Sequence, residues 1–408
     1  MRVNYGQTVH GEEEIQAVVE VLRSSTQMGP RVAELQRRVA ALFSKQYGIM
    51  VNSGSSANYL AVELLDLPPG SEVITPVLTF VTTVAPIIRA GLVPSFVDAR
   101  EGTYNIDEDA IERQITPRTR AMMIPSLIGN LPDWDKIRTI ADRHNLVVIE
   151  DSADTLGARL RGTSTGTRSH ISTTSFYGSH VINAAGNGGM LCVNDHALAR
   201  RAFLLRSWGR SSSVFDNSES IANRFNVRLG DIPYDAKFVF EELGYNFEPS
   251  EMGAAFGLVQ LDKLDRNIAR REVHFARHRR FFSDYDEWFI LPDQLAEAHT
   301  GWLAFPLTVK EGAPFTRTEL QIFLEQRDIQ TRVVFTGNIL RQPALKGIEC
   351  VTCPEGYPHA DAVTRGGILI ACHHGLDDAQ IDYMHASFLD FVGELETTKR
   401  IACGASRG

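Results

Sequence analysis

The sequence is poor in cysteine, lysine and long apolar runs, and each shortage excludes something. Five cysteines (Cys192, Cys350, Cys353, Cys372 and Cys403) are scattered over 408 residues. An odd set without regular spacing excludes the disulfide framework of a small secreted domain. Cys350 and Cys353 form a lone C-x-x-C with no second pair or histidine pair nearby. They read as loop cysteines, with no metal site assigned. No stretch approaches the roughly 20 apolar residues of a membrane span. The N-terminal stretch lacks the apolar core of a signal peptide, so a cytoplasmic location is expected and no membrane partner. Cations number 41 against 50 acidic residues, a net charge of −9. That balance argues against a nucleic-acid footprint, which needs clustered Lys and Arg, but leaves room for a pocket that takes a phosphorylated small molecule.

What is present is ordinary for a soluble enzyme: 43% hydrophobic and 22% charged residues. The length is too great for one small core, so two domains are expected. Apolar spacing predicts helices over Glu12–Leu22 and Arg31–Leu42, separated by Met28-Gly29-Pro30. Short apolar runs at Tyr47–Asn52, Glu72–Pro76, Val93–Asp98, Ala121–Pro125 and Leu146–Asp151 read as strands. Helical stretches at Tyr59–Leu65, Thr79–Ala90 and Trp134–His144 separate them, the pattern of a largely parallel sheet covered on both faces. Asp195–Arg206 reads as a helix, Ser207–Pro233 as a long polar loop, and Ser250–Arg280 as one long helix bridging to a second unit. Beyond it, Trp302–Thr308, Thr331–Phe335 and Gly367–Ala371 read as strands, with helices Thr318–Gln326 and Asp377–Leu395, suggesting a smaller α+β unit. The expected division is a large domain over 1–250 and a small one over 251–408.

Three stretches carry chemistry. Ser53-Gly54-Ser55-Ser56-Ala57-Asn58 sits at a strand-to-helix turn. It reads equally as a serine N-cap or as backbone N–H groups converging on a phosphate. Glu150-Asp151-Ser152-Ala153-Asp154 closes an apolar strand. Its aspartates are either solvated loop carboxylates or a pair facing one site, where burial would demand a cationic partner. Ser175-Phe-Tyr-Gly-Ser-His180 leads through small residues to Gly186-Asn-Gly-Gly189, and His180 is the residue there that trades protons near neutral pH. Phe80 follows a strand and either fills the core or covers a ring face. A phosphate cradle, a carboxylate and a proton carrier on three neighbouring loops suit pyridoxal phosphate.

With these motifs, and with Gly244-Tyr-Asn246, the chain resembles the DegT/DnrJ/StrS sugar aminotransferases, from about Gly11 to the C-terminal helix. The resemblance implies an aspartate-aminotransferase-like fold (fold type I), with a mixed, mostly parallel sheet in the large α/β domain and a smaller α+β domain. It implies PLP or PMP as cofactor, Asp151 on the ring nitrogen, Asp154 on the 3′-oxygen, and Gly54, Ser55, Ser56 and Ser175 around the phosphate. Asn246 would reach the phosphate of a partner subunit, making a homodimer with shared sites. The family's cofactor lysine should stand at position 180, yet none of the seven lysines (45, 136, 237, 263, 310, 346, 399) falls there. Histidine at this place is similar to the NDP-4-keto-6-deoxysugar 3-dehydratase branch. Gly129-Asn130, Ser207-Trp-Gly-Arg210 and Thr331-Arg-Val-Val-Phe-Thr-Gly-Asn-Ile-Leu-Arg-Gln-Pro343 extend that likeness. Within that branch, the last stretch is similar to enzymes that carry an iron–sulfur cluster on cysteines after the Trp-Gly-Arg motif. Here Ser211–Ser220 contains no cysteine, so a cluster-free dehydratase is expected. The implied substrate is an NDP-4-keto-6-deoxysugar, with Asn130, Arg210, Arg332 and Arg341 as candidate contacts, His180 as base and glutamate as amino donor. The rivals are a reductase-coupled dehydrase, an aminotransferase with a histidine base, and an inactive sugar-nucleotide-binding homologue.

Overall fold

Alternation of apolar strands with amphipathic helices is realised in the computed structural model, which describes residues 1–215, 217 and 219–405. Helices α1 (Glu12–Arg23) and α2 (Pro30–Leu42) precede β1 (Tyr47–Val51) and α3 (Gly54–Glu63). There follow β2 (Glu72–Pro76), α4 (Val81–Arg89), β3 (Val93–Val97), β4 (Thr119–Pro125), α5 (Trp134–His144) and β5 (Val147–Asp151). A small hairpin, β6 (Arg159–Leu160) and β7 (Thr163–Ser164), leads to β8 (Ile171–Ser175), β9 (Gly189–Val193) and α6 (His196–Arg206). The seven-stranded sheet has the order β1-β9-β8-β5-β4-β2-β3. Only β9 runs against its neighbours, so the sheet is mixed and mostly parallel, as expected.

Two apolar layers bury its faces. One joins α3 and α6 through Leu60, Val62 and Leu205 to Ile49, Ile149 and Leu191. The other places α5, with Trp134 and Ile137, beneath Met122 and Val148. α3 begins at Gly54 rather than at Tyr59, because the Ser53 hydroxyl accepts the Ser56 N–H and nucleates the turn at once.

The stretch expected as a polar loop from Ser207 to Pro233 carries a short helix α7 (Ile221–Arg224) and enters a hairpin, β10 (Val227–Leu229) with β11 (Ile232–Tyr234). Asp216 and Ser218 of that stretch lie outside the described residues, as do residues 406–408 at the end of the C-terminal unit. The single bridging helix is two, α8 (Glu251–Asp262) and α9 (Leu264–Phe282), separated at Lys263. α8 packs on α1 and α2, whereas α9 carries Phe282 into the C-terminal core. That core surrounds a three-stranded sheet, β12 (Phe289–Ile290), β14 (Ala304–Val309) and β15 (Gly367–Ala371), with α10 (Arg317–Gln326) and α12 (Asp378–Ala405). A further pair, β13 (Ala298–His299) on β6, ties the units together, and α11 (Pro358–Gly366) covers β14. Val3 from the chain's start is buried in the same C-terminal core, so a division at residue 250 is a proposal about most of the chain, not its first residues. The strand expected over Thr331–Phe335 is absent. Arg332 makes one bridge to Leu369, after which Phe335 (φ 42) and Gly337 (φ 61) turn the chain away. Among the described residues no helix is long and apolar enough to cross a membrane.

Candidate active site

The carboxyl ends of β1, β4, β5 and β8 open on one edge of the sheet, where an α/β fold exposes backbone and side chains to a ligand. Gly189, the first residue of β9, pairs there with Val51 on one side and Ser175 on the other. A Cβ on Gly189 would lie 2.3 Å from the Ser53 carbonyl oxygen, and one on Gly54 2.6 Å from the Ser175 Cβ. Only glycine lets these three turns converge. Their convergence leaves a cavity of about 510 Å³.

Gly54, Ser55, Phe80, Asp151, Asp154, Ser175 and His180 all line that cavity. Asp151 is the most firmly held. Its Oδ2 accepts from Asn58 Nδ2 (2.8 Å) and Thr83 Oγ1 (3.0 Å), and its Oδ1 from the Ala153 N–H (3.2 Å). Thr173 Oγ1 donates to Asn58 Oδ1 at 2.6 Å and so fixes which way the amide faces. Burial raises the Asp151 pKa, and the bonds from Asn58 and Thr83 oppose the rise. Asp154 accepts the Ile128 N–H at 2.9 Å. Burial, then the neighbouring Asp151, push its carboxyl up to about 7.

His180 Nδ1 stands 3.4 Å from Asp154 Oδ1, and its side chain is only 12% exposed. That is ion-pair range without hydrogen-bond alignment, and Nδ1 has no hydrogen-bond partner. Burial, reinforced by the charge of Arg271, lowers its pKa, so the imidazole is neutral and able to accept a proton. Ser126 Oγ, in the same wall, is also buried without a partner. Unsatisfied buried polar atoms around a cavity mark a place completed by a ligand. The site therefore fits an anionic, ring-bearing group: N–H groups and hydroxyls at the start of α3, a carboxylate opposite, and the Phe80 ring, 47% exposed, at the mouth.

The other expected residues are not brought into the cavity. Ser56 lies behind it, bonded to Asn52 Oδ1 and Ser53. Asn130 is buried, its amide spent on the Thr103 and Asp293 carbonyls. Arg341 forms a two-pronged pair with Asp361. Arg210 lies over the Trp208 ring and Asn246 is exposed, bridged to Ser207. Arg332 stands next to the site, over the ring of Tyr5. Cys350 and Cys353 are free thiols beside Val351, which pairs with Ser95 at the sheet's edge. Tyr5, Asn58, Thr83, Ser126, Leu303 and Phe335 line the cavity without having been expected there. Asn58 and Phe335 sat inside quoted motifs, but nothing in the sequence around Tyr5 signals it.

The model of the DegT/DnrJ/EryC1/StrS aminotransferase family matches residues 8–389. A dTDP-4-dehydro-2,6-dideoxy-D-glucose 3-dehydratase of Saccharopolyspora spinosa is 36% identical over 88% of this chain and 80% of its own. A dTDP-4-dehydro-2,3,6-trideoxy-D-glucose 4-aminotransferase of the same organism is 30% identical over 93% of this chain and 94% of its own. Among solved structures, E. coli GDP-4-keto-6-deoxy-D-mannose-3-dehydratase with bound hydrated PLP superposes with a TM-score of 0.85, at 26% identity over 95% of this chain and 100% of that one.

Proposed function

The chain belongs to the DegT/DnrJ/EryC1/StrS aminotransferase family, and from that premise we propose that it is a PMP-dependent 3-dehydratase of a nucleotide-linked 4-keto-6-deoxyhexose. One observation carries the reading. A histidine, not an amine, stands among Gly54, Asp151 and Ser175, and among the described residues no lysine lines the cavity. Relatives of both kinds, dehydratase and aminotransferase, share the family, so the side chain at 180 has to discriminate.

Pyridoxamine phosphate, when bound, supplies an amine for the sugar's C4 ketone and a ring that takes up electrons. The residues of this chain do the rest. Ser55, Ser175 and the N–H groups opening α3 hold the phosphate, with Ser56 supporting them from behind. Asp151, fixed by Asn58 and Thr83, keeps the ring nitrogen protonated. Asp154 would meet the 3′-oxygen, and Phe80, at the mouth, would cover the ring. His180, neutral and close to Asp154, moves the proton at C4′ and delivers one to the departing C3 hydroxyl. An imidazole cannot release a product amine by exchange onto the enzyme as a lysine does, which favours loss of the C3 oxygen over amino transfer. Glutamate is the proposed donor that restores the amine. Ser211–Ser220 offers no thiolate, which supports turnover without an iron–sulfur centre and a reductase partner.

A homodimer is proposed from the apolar surface of the stretch after α6. Leu243 is 97% and Ile221 78% exposed, and Phe225, Ile232, Phe238 and Phe240 of the same stretch are exposed as well, apolar surface that a second copy would cover. A second copy covering that surface would bring Arg210 and Asn246, neither of which lines its own cavity, toward its partner's. The test is incubation with PLP, glutamate and a panel of NDP-4-keto-6-deoxysugars, followed by mass spectrometry. Loss of the C3 oxygen is expected; accumulation of an aminosugar instead would move the chain to the aminotransferases. Iron and sulfide analysis separates the reductase-coupled variant.

A further inference from the structure

Arg271, on α9, is completely buried. Among the described residues no carboxylate forms an ion pair with it, although a buried guanidinium is costly without compensation. Its donors instead reach four neutral acceptors on three separate segments. Nε donates to His374 Nδ1 at 3.2 Å, and Nη1 to the Trp302 and Leu303 carbonyls at 3.0 and 3.4 Å. Nη2 donates to the Ser179 carbonyl at 3.1 Å. That carbonyl belongs to the peptide whose N–H is His180's own, and the N–H is bonded to the Tyr177 carbonyl at 3.0 Å. The peptide carrying His180 is therefore held at both ends. Leu303 lines the cavity, so the same side chain braces the wall and the turn.

We propose that Arg271 is a positioning residue for His180: its bond to the Ser179 carbonyl fixes the turn on which the imidazole stands, and its bonds to His374 and to Trp302 and Leu303 anchor that turn to the C-terminal unit. This rests on His180 being the base. A fixed fork suits the task, since guanidinium spreads its donors over three nitrogens in one rigid plane, whereas an ammonium's three donors all leave one atom and cannot span acceptors on three segments. The charge has a second effect. The groups around His180 are Asp151 at the end of β5 and Asp154 after it, Tyr177 on its own turn, Tyr5 with Arg332 behind it on the side of the N-terminal segment, and Arg271 backed by His374. Arg271 opposes a second positive charge at His180, while Asp154, 3.4 Å from the ring, acts on Arg271 as well. Tether and charge come from one side chain and are separable by substitution.

The experiment uses the full-length chain labelled with ¹⁵N-histidine, the His180 signal being assigned by its loss in His180→Asn, together with turnover kinetics of the loaded enzyme. In Arg271→Met the His180 titration is expected to rise by about one pH unit or more, and kcat to fall about 10²-fold with KM within about threefold. Arg271→Lys keeps the charge without the fork, so the titration stays near that of the parent while kcat still falls about tenfold. His374→Leu, which leaves Arg271 in place but frees its Nε, is expected to lower kcat about threefold, and decides the matter if Arg271→Met does not fold. Parental kcat in both Arg271→Lys and His374→Leu would overturn the proposal, as would an unshifted His180 titration in a folded Arg271→Met. If His180→Asn still dehydrates its substrate, the base assignment fails instead. The titration in unloaded protein then still reports whether Arg271 acts on that ring.

Discussion

His180 and Asp154 are two acids of opposite type buried beside each other, and their environment moves both towards the uncharged form. Burial lowers the imidazole and raises the carboxyl to about 7. Near neutral pH the unliganded site thus holds a bare imidazole next to a carboxyl close to its titration point, a pairing suited to passing protons. His180→Asn keeps the volume and loses the base, so dehydration is expected to fall by about 10²- to 10⁴-fold while PLP still binds. His180→Lys restores an amine, and the PLP-loaded protein is expected to change its visible absorption and lose dehydration. Full dehydration in either variant would remove His180 from the mechanism. At this scale the sequence was readable where residues sit at strand ends. Asp151, Ser175 and His180 follow apolar runs, and glycines announce that turns meet. Tyr5 was not readable, because the N-terminal segment reaches the cavity only by being clamped between Gln330 and Gly178, contacts that no local pattern encodes. Asn130 misled for the opposite reason: a motif asparagine whose amide is consumed by two carbonyls.

Helix boundaries follow from where each face must point. α8 and α9 were read as one because apolar spacing continues through Lys263, but α8 buries towards α1 and α2 and α9 towards the C-terminal sheet. The break is held by charge. Glu14 of α1 is wholly buried and accepts from Lys263 Nζ (2.6 Å), Gln260 Nε2 (2.7 Å) and the Gly11 N–H (2.9 Å). Its carboxyl is held far below the usual range, down to about 2; burial opposes this, and the bonds from Lys263, Gly11 and Gln260 overcome it. Lys263→Met leaves that carboxylate buried without its cation, and about 3 kcal/mol of stability is expected to be lost, read as a lower urea midpoint at unchanged slope. Glu14→Gln in the same background should recover part of it, since the stranded charge is gone. The stretch after α6 makes the complementary case. Leu243, almost fully exposed, serves no purpose in one copy. Leu243→Glu is expected to shift the sedimenting species from dimer to monomer and to abolish turnover, while the monomer's far-UV dichroism stays unchanged; an unaltered dimer would place the interface elsewhere.

Across the whole molecule the C-terminal unit is where histidines are buried. His274, His278, His373 and His374 are almost inaccessible, and burial is the first cause lowering the pKa of each, as it is for His385. Their bonds define the tautomers. His278 Nε2 faces the Ala371 carbonyl at 3.1 Å and must carry a proton there, which leaves Nδ1 bare to accept from His385 Nε2 at 3.0 Å. A proton added to His278 would set two N–H groups against each other. Since the unfolded chain takes up protons near pH 6.5 and these folded histidines do not, their contribution is full above about 6.5 and lost as pH falls towards their folded pKa values, about 4 for His385 and 3 for His278. Glu14 adds to the loss at lower pH, whereas Asp154, raised rather than lowered, opposes it between about 7 and 4, and burial raises Asp151 in the same direction. With several histidines against two aspartates, stability is expected to fall by about 1.4 kcal/mol per pH unit for each net proton taken up on unfolding. His385→Gln supplies a donor to His278 Nδ1 without the titrating ring, so its stability should depend less steeply on pH between 6.5 and 4.5. Urea midpoints measured across that range test both expectations. A flat profile in the parent chain, or an equal slope in His385→Gln, would mean that these rings are charged in the folded protein and that the buried relay between α9, β15 and α12 does not hold.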